Sequence, residues 1–386
     1  MTISEKETAM AAVKKVAIAG SGVAAMAAAI QLAKLGVGVE VFEKKPELSP
    51  LGSGITLQGN ALRALGKLGV WNQVLEQGYP AEGLVIRAPG PGAPVVMSLP
   101  EAKTGGPDYP ASLRMYRPDL TRILYAAAVA QGVTFHFGAE LTGLADRGEQ
   151  VELKVNGEPA GAFDLLIGAD GLHSTVRELI GIDVRPQRTG MGAWRAFVSR
   201  PSEVVSSEVI YGGPVYIAGY TPTSEDAMYA FLVEPAQDRS ALSDEEHARL
   251  MYETSLPYDG PWNAIRADLL NSPQVNYTWF TSHLVPDAWN RGRVVIIGDA
   301  AHSCPPTIAQ GAAQALEDAL VLTEILESHD RLDQALWDEF HARRLPRAAT
   351  VVEASVQVGQ WQIDGDQHAD IGGLVYAVAQ KMALPA

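Results

Sequence analysis

The stretch KVAIAGSGVAAMAAAIQLAKLGVGVEVFEK runs from Lys15 to Lys44. Val16-Ala17-Ile18-Ala19 is a short apolar run that enters glycines, the pattern of a buried parallel strand. Ala24 to Leu35 is rich in alanine and leucine and reads as a helix, which Gly36 and Gly38 end. Val39-Glu40-Val41-Phe42 reads as a second strand, so a strand–helix–strand unit opens the chain. Gly20 permits the tight turn between strand and helix, and Gly22 lets backbone approach a pyrophosphate. The helix start at Ala24 offers free N–H groups and a positive dipole end. Ala25 replaces the third glycine of the dinucleotide fingerprint, at the cost of looser helix–strand packing. Glu43, with Lys44 beside it, follows about 20 residues on, where an acid bonds ribose hydroxyls. The bland alternative is a tight turn with a solvated glutamate.

The chain of 386 residues has room for two domains and a large core. Apolar residues make up 47% and charged residues 19%, as in an ordinary globular protein. A net charge of −15 argues against nucleic acid and anionic membrane as partners. The single cysteine, Cys304, excludes an internal disulfide and a cysteine zinc site, and no metal is expected. Lys14-Lys15 and the apolar run imitate a signal peptide, but Gly20, Ser21 and Gly22 interrupt it. No uncharged apolar stretch reaches the roughly 18 residues a membrane span needs. The expected compartment is the cytoplasm, and residues 1–13 read as a frayed polar tail.

Further along, 60–66 and 70–77 read as helical pieces, and 87–110 as hairpin or loop. A helix follows from Pro118 to Gln131. Strands are expected at Thr134–Phe137, Leu141–Leu144, Val151–Val155 and Ala162–Gly168, with a hairpin at Asn156-Gly157. From about 190 to 285 short alternating runs such as AWRAFV and AMYAFLV predict a separate sheet, interrupted by a helix near Asp244–Thr254. A strand at Arg293–Ile297 and a long helix over 311–328 come next. Residues 330–362 read as mostly helical, with Pro346 as a kink or break.

Two later stretches carry chemistry. GADGLHSTVR, from Gly168, and RVVIIGDAAH, from Arg293, each place an Asp beside a Gly just past a buried strand. A carboxylate there, Asp170 or Asp299, accepts bonds from sugar-type hydroxyls, while Gly leaves room for a ligand. PPTIAQGA, from Pro305, then opens the long helix, whose free N–H groups favour a group that becomes anionic.

With these motifs in this order, the sequence resembles the FAD-dependent single-component aromatic hydroxylases of the para-hydroxybenzoate, salicylate and 6-hydroxynicotinate type. The resemblance covers roughly 14–360. It rests on GSGVAA with Glu43, on LGSGITLQGNALRALGKLG with Gly54, on GADGLHSTVR and on GDAAHSCPPTIAQGAAQALEDA. It implies an α/β fold: a Rossmann-like FAD-binding domain of three ββα layers, an inserted β-rich substrate domain and C-terminal helices. The implied division is 14–80 with 111–185 and 286–328 for FAD, 81–110 with 186–285 for substrate, and 329–386 as helices. It implies resident FAD, transient NADH or NADPH, and O2. The activity implied is hydroxylation of an electron-rich aromatic through a flavin hydroperoxide. A halogenase or a flavoprotein reductase on the same fold is the alternative. A monomer or homodimer is expected, with a small aromatic substrate as its partner.

Carried over residue by residue, the resemblance gives Asp299 the ribityl chain, Gly311 and Ala312 the flavin N1–C2=O edge, and Pro306 the neighbourhood of the reactive flavin carbon. Arg117 would reach the pyrophosphate or ribityl region, and the backbone at Leu141 would meet adenine. Tyr216 and Tyr220 fall roughly where the hydroxynicotinate members carry substrate-contacting residues, and Tyr211 lies on the same β segment. Arg195 is a candidate for a substrate carboxylate or a structural acid. Thr56 and Thr307 stand where pyridine-hydroxylating members carry His, a departure that turns the expectation away from hydroxynicotinate itself. Ala309 and Ala313 depart too, standing where the family usually has Gly and often has Asn. His302 reads as structural, Cys304 as a buried filler, and His283 as a candidate near the domain junction.

Overall fold

The computed structural model describes residues 12–49, 52–271 and 275–386. Most of the expected polar tail, and Pro50-Leu51 of the second motif, lie outside these residues. The first sheet has the order Asn290–Arg291, Val294–Ile296, Leu165–Gly168, Lys15–Ala19, Gly38–Glu43, Thr134–Phe137. Its strands run parallel except for the short edge strand at 290–291. Val16, Ala17 and Ile18 are fully buried, as befits a strand covered on both faces. One face carries the helices Val23–Lys34, Arg117–Ala130 and Gly311–Ser328. On the other lies a small antiparallel sheet of Leu141–Asp146, Val151–Val155 and Glu158–Phe163, whose buried Phe163 meets Phe42 edge-on at 6.0 Å. These are the ββα layers.

The second large sheet has eight strands, ordered His302–Ser303, Val275–Leu284, Gln187–Ser199, Ala227–Pro235, Ile217–Pro222, Ser207–Tyr211, Gly83–Arg87, Val95–Pro100. Period-two alternation gives it two different faces. Trp194, Ala218, Tyr220 and Leu232 share a core with Trp262 and Met251 from the helices Trp262–Leu269 and Asp244–Ser255. Arg195, Phe197, Tyr229 and Phe231 point the other way, toward the first domain. A three-stranded sheet, Gly54–Gln58, Ser112–Tyr116 and Tyr79–Ala81, faces them. There the Tyr116 ring meets Phe197 at 4.6 Å, and a Cβ on Gly54 would stand 2.8 Å from the Tyr229 ring.

The structure revises some local expectations. The strand expected over 162–168 breaks at Asp164, whose carboxylate accepts the N–H groups of Lys14 and Lys15 at 2.7 and 2.9 Å. Helix Gln334–Asp364 continues unbroken through Pro346, with Arg344 and Arg347 on either side anchored in buried carboxylates. A last helix, Ile371–Ala383, lies beyond the helical stretch expected from the sequence. The Asn156-Gly157 turn has positive φ at both residues, +52° and +86°, as the hairpin reading requires. Among the described residues no helix is long and apolar enough to cross a membrane.

Gly20 sits at φ +94°, and a Cβ there would lie 2.5 Å from the Ala169 carbonyl oxygen. Gly20→Ala therefore meets both a left-handed-region penalty and a backbone clash. The expected loss is about 2 kcal/mol or more, read as a lowered Tm, and an unchanged Tm would refute this account.

Candidate active site

The two glycine-led loops and the Gly298–His302 loop converge at the carboxyl ends of the parallel strands, where open α/β sheets place ligands. Gly298 lies at φ +59°, and a Cβ on it would come within 3.0 Å of the Ala24 Cβ and 3.4 Å of the Ala315 Cβ. Ala24 and Ala25 are buried, so their side chains serve close packing, while their backbone N–H groups lie in the uncapped first turn of the helix. A Cβ on Gly22 would instead meet nothing within 4 Å. The helix it opens has no side-chain cap and no acid in its first turn, leaving N–H groups for an anion. Helix Gly311–Ser328 starts the same way, and a Cβ on Gly311 would find no atom nearer than the Cys304 sulfur at 4.0 Å. Ala312, next in that first turn, is half-buried.

Asp299 is accessible to solvent yet surrounded by protein, which pushes its carboxyl pKa up; the charges of His302 and Arg117 oppose this. Arg117 opens the helix Arg117–Ala130, and a Cβ on Gly52 would stand 3.3 Å from its Nε. Pro306 is exposed at the start of a 3-10 turn over 306–308. That turn ends with Ala309 at φ +53°, a left-handed conformation that accounts for glycine being usual there in the resembled family.

Glu43 braces the first loop. Its Oε2 accepts Ser21 N–H at 3.0 Å and the Ser21 hydroxyl at 2.7 Å, and Oε1 accepts Lys45 N–H at 2.9 Å. A carboxylate offers about four acceptor sites, so capacity for a hydroxyl remains. Lys44 is exposed beside it. Ala139 N–H donates to the Glu43 carbonyl at 2.9 Å, so the strand that starts at Leu141 begins next to this acid. The Leu141 side chain itself is buried in the core.

Asp170 is half-buried and braces the next helix start. It accepts the Ser174 hydroxyl at 2.5 Å and Val176 N–H at 3.0 Å. These two bonds leave acceptor capacity on the carboxylate for the expected sugar hydroxyl. Arg177 ties the two Asp-Gly loops together, donating to the carbonyls of Leu172 at 2.9 Å and Ala300 at 2.8 Å. Behind it, His283 Nε2 lies 3.2 Å from Arg177 and Nδ1 lies 2.9 Å from the Ser303 hydroxyl. Arginine only donates, so Nε2 accepts and the proton sits on Nδ1.

The expected substrate residues separate. Arg195 is half-buried on the inner face, bonded to the Thr278 hydroxyl and 5.5 Å from the Phe280 ring centre. It has no carboxylate partner among the described residues. Tyr216 is half-buried against Met191, Val233 and Phe280, and Tyr211 is exposed at the end of its strand. Thr56 shares the inner-facing side of its strand with Gly54. The space at Gly54 is filled by Tyr229, so the missing side chain makes room for a tyrosine rather than for a cofactor. Thr307 spends its hydroxyl on the Ser355 carbonyl at 2.7 Å and is tied to the C-terminal helix. Tyr220 is corrected outright: it lies on the outer face, fully buried, and donates to Glu208 at 2.6 Å. Burial, and then the Glu208 carboxylate, push its phenol pKa far up. Burial also raises the Cys304 thiol to about 12, in keeping with a filler.

Tyr229, Arg177 and Asp318 escape a reading of the sequence. For Tyr229 a signal exists, two positions before Phe231 in AMYAFLV, but alternation alone does not say which face is inward.

The match to known proteins completes the picture. A family model described as FAD binding domain matches residues 14–355. The chain belongs to this family. The chain is 30% identical over 348 residues to 3-amino-4-hydroxybenzoate 2-monooxygenase of Streptomyces cremeus, covering 87% of this chain and 84% of that one. Aurachin C monooxygenase/isomerase of Stigmatella aurantiaca is 29% identical over 316 residues, 80% of each chain. The solved tetrameric form of 2-methyl-3-hydroxypyridine-5-carboxylic acid oxygenase superposes with a TM-score of 0.78 at 26% identity, covering 96% of each chain. The protein is thus a flavoprotein of the FAD-dependent monooxygenase type, similar to the aromatic hydroxylases. The open space at Gly22, the uncapped helix starts and the accessible Asp299 fit that cofactor.

Two outcomes follow for residues away from the cleft. Tyr220→Phe should cost about 1–2 kcal/mol, because Glu208 loses a donor in a sealed core, and should leave substrate affinity and coupling unchanged. Urea unfolding and product-to-peroxide ratios check this, and altered coupling would return Tyr220 to the site. His283 is held at about 4, first by burial and then by the Arg177 charge. A pKa depressed in the folded state gives stability that is full above the unfolded value of about 6.5. It is lost as pH falls from there to about 4. The contribution is about 3 kcal/mol. His283→Gln should remove this slope from unfolding measured between about pH 7.5 and 4.5, and an unchanged slope would refute it.

Proposed function

We propose that this flavoprotein hydroxylates a small, electron-rich aromatic molecule, phenolic or a hydroxylated N-heteroaromatic, using O2 and NADH or NADPH. The observation that carries the proposal is the inner face of the eight-stranded sheet. Phe197, Tyr229, Phe231 and Phe280 form an aromatic wall there, with rings 5.8 Å (Phe197–Tyr229) and 5.7 Å (Tyr229–Phe231) apart. Arg195, free of any carboxylate among the described residues, stands among them. Such a surface takes a flat ring by stacking and an oxygen substituent by a charge-assisted bond. The likeness to enzymes named for an aminohydroxybenzoate and a hydroxypyridine carboxylate supports the same substrate class.

Bound FAD supplies the redox and oxygen chemistry. The chain's own residues hold and shield it. Gly22 and the first helix start would receive the pyrophosphate, Glu43 the ribose, and Asp299 the ribityl hydroxyls, while the N–H groups at Gly311 and Ala312 would hold the ring end. The turn at Pro306 and the aromatic wall exclude water from the substrate side. Arg195 and Tyr216 orient the substrate and stabilise its oxygen as an anion, which enriches the ring; a free phenol, with pKa about 10, is otherwise neutral near pH 7. Activity in the cytoplasm, where reduced nicotinamide is supplied, suits this reading.

The test is NADH and NADPH oxidation with O2 uptake by FAD-loaded protein, scanned over phenols, hydroxybenzoates and hydroxypyridines. At least one compound should accelerate oxidation and appear as a product one oxygen heavier. Acceleration by none of them, with either nucleotide, would overturn the proposal.

A further inference from the structure

Behind the Gly298–His302 loop lies a group of charges buried from solvent. Asp318, on the helix Gly311–Ser328, has no solvent exposure. Its Oδ2 accepts the Gly298 backbone N–H at 2.8 Å and lies 2.7 Å from His302 Nε2. Its Oδ1 accepts Arg344 Nε at 2.7 Å, from the C-terminal helix. Arg344, also without exposure, reaches Glu317 at 3.1 Å. Glu317 in turn takes Arg347 at 2.6 and 2.9 Å and Asn60 at 3.0 Å. Burial alone would push the Asp318 carboxyl up, but His302 and Arg344 more than offset it and hold it below its usual range.

The two adjacent acids do different work. Glu317 binds only side chains of neighbouring helices. Asp318 grips the backbone one residue before Asp299 and the imidazole three residues after it. Gly298 is already confined at φ +59° against Ala24 and Ala315, so the loop is clamped in front by close packing and behind by a carboxylate. A buried charge costs several kcal/mol to desolvate. A clamp worth that cost is one whose geometry matters.

We propose that Asp318 is a positioning residue for the flavin, holding the loop that presents Asp299 to the cofactor. The proposal rests on the family's FAD site. It would be separable from failure of that reading, since wild-type protein that bound no FAD would refute the latter alone.

The experiment compares Asp318→Asn with Arg347→Met in the full chain. It reads the FAD dissociation constant from flavin fluorescence, the visible flavin spectrum, the flavin midpoint potential and Tm. Asp318→Asn should weaken FAD by about tenfold or more, the loss of charge-assisted buried hydrogen bonds, and should shift the spectrum and potential of the flavin that remains bound. Arg347→Met breaks the neighbouring ion pair without touching the loop. It should lower Tm and leave FAD affinity and spectrum unchanged. Native FAD affinity and spectrum in Asp318→Asn would overturn the proposal. So would equal weakening in Arg347→Met, which would make the effect general destabilisation. Should Asp318→Asn not fold, His302→Gln removes one loop contact and keeps the Gly298 bond. It should weaken FAD by a smaller factor, and unchanged affinity there would overturn the proposal as well.

Discussion

The site depends on backbone segments meeting with almost nothing between them. The turn at Gly20 presses on the Ala169 carbonyl, and Gly298 presses on Ala24 and Ala315. A single extra methyl at either place has no room. This close approach brings the first helix start, the Asp299 loop and the start of the long helix to one end of the parallel sheet. Free N–H groups and an accessible carboxylate then face the same space. Every proposed contact with FAD follows from that convergence.

Small residues in front are matched by charged residues behind. Arg177 stitches the Asp170 loop to the Asp299 loop through two carbonyls, and His283 accepts a further bond from it as a neutral imidazole. Asp318 does the same from the helix side. These groups are expensive to bury, and their return lies in geometry rather than in net stability. The C-terminal helix continues through Pro346 between the Arg344 and Arg347 pairs, against the local cost of about 3 kcal/mol that proline imposes.

The nucleotide half of the molecule is legible in the sequence because its signals are local. A glycine turn, an acid at the end of the next strand and an Asn-Gly hairpin each report on backbone within a few residues. The substrate half is less legible, because its meaning lies in which face of a strand is inward. Tyr220 and Tyr229 both sit in alternating strands, in register opposite Ala230 and Thr221. Both faces of that sheet are covered, one by helices and one by the first domain, so apolar residues appear on both and alternation loses its polarity. Asp164 and Asp318 are invisible for another reason. Their partners, the N–H groups of Lys14 and Lys15 and of Gly298, are backbone atoms far away in sequence or on another element. Backbone atoms carry no residue-type signature.

The two-faced sheet has an evolutionary consequence. Its outer face, locked by Trp194, Tyr220 and Trp262, carries the cohesion of the domain. Its inner face packs a smaller cluster of Met191, Ala193, Val233 and Phe280 and carries the proposed recognition surface. On the proposed function, replacing Arg195, which has no carboxylate partner among the described residues, would change what this face accepts while leaving the outer core untouched. Where the inner face selects the substrate as proposed, stability and selectivity lie on alternate residues of the same strands, so a lineage could exchange one ligand for another without first relearning how to fold.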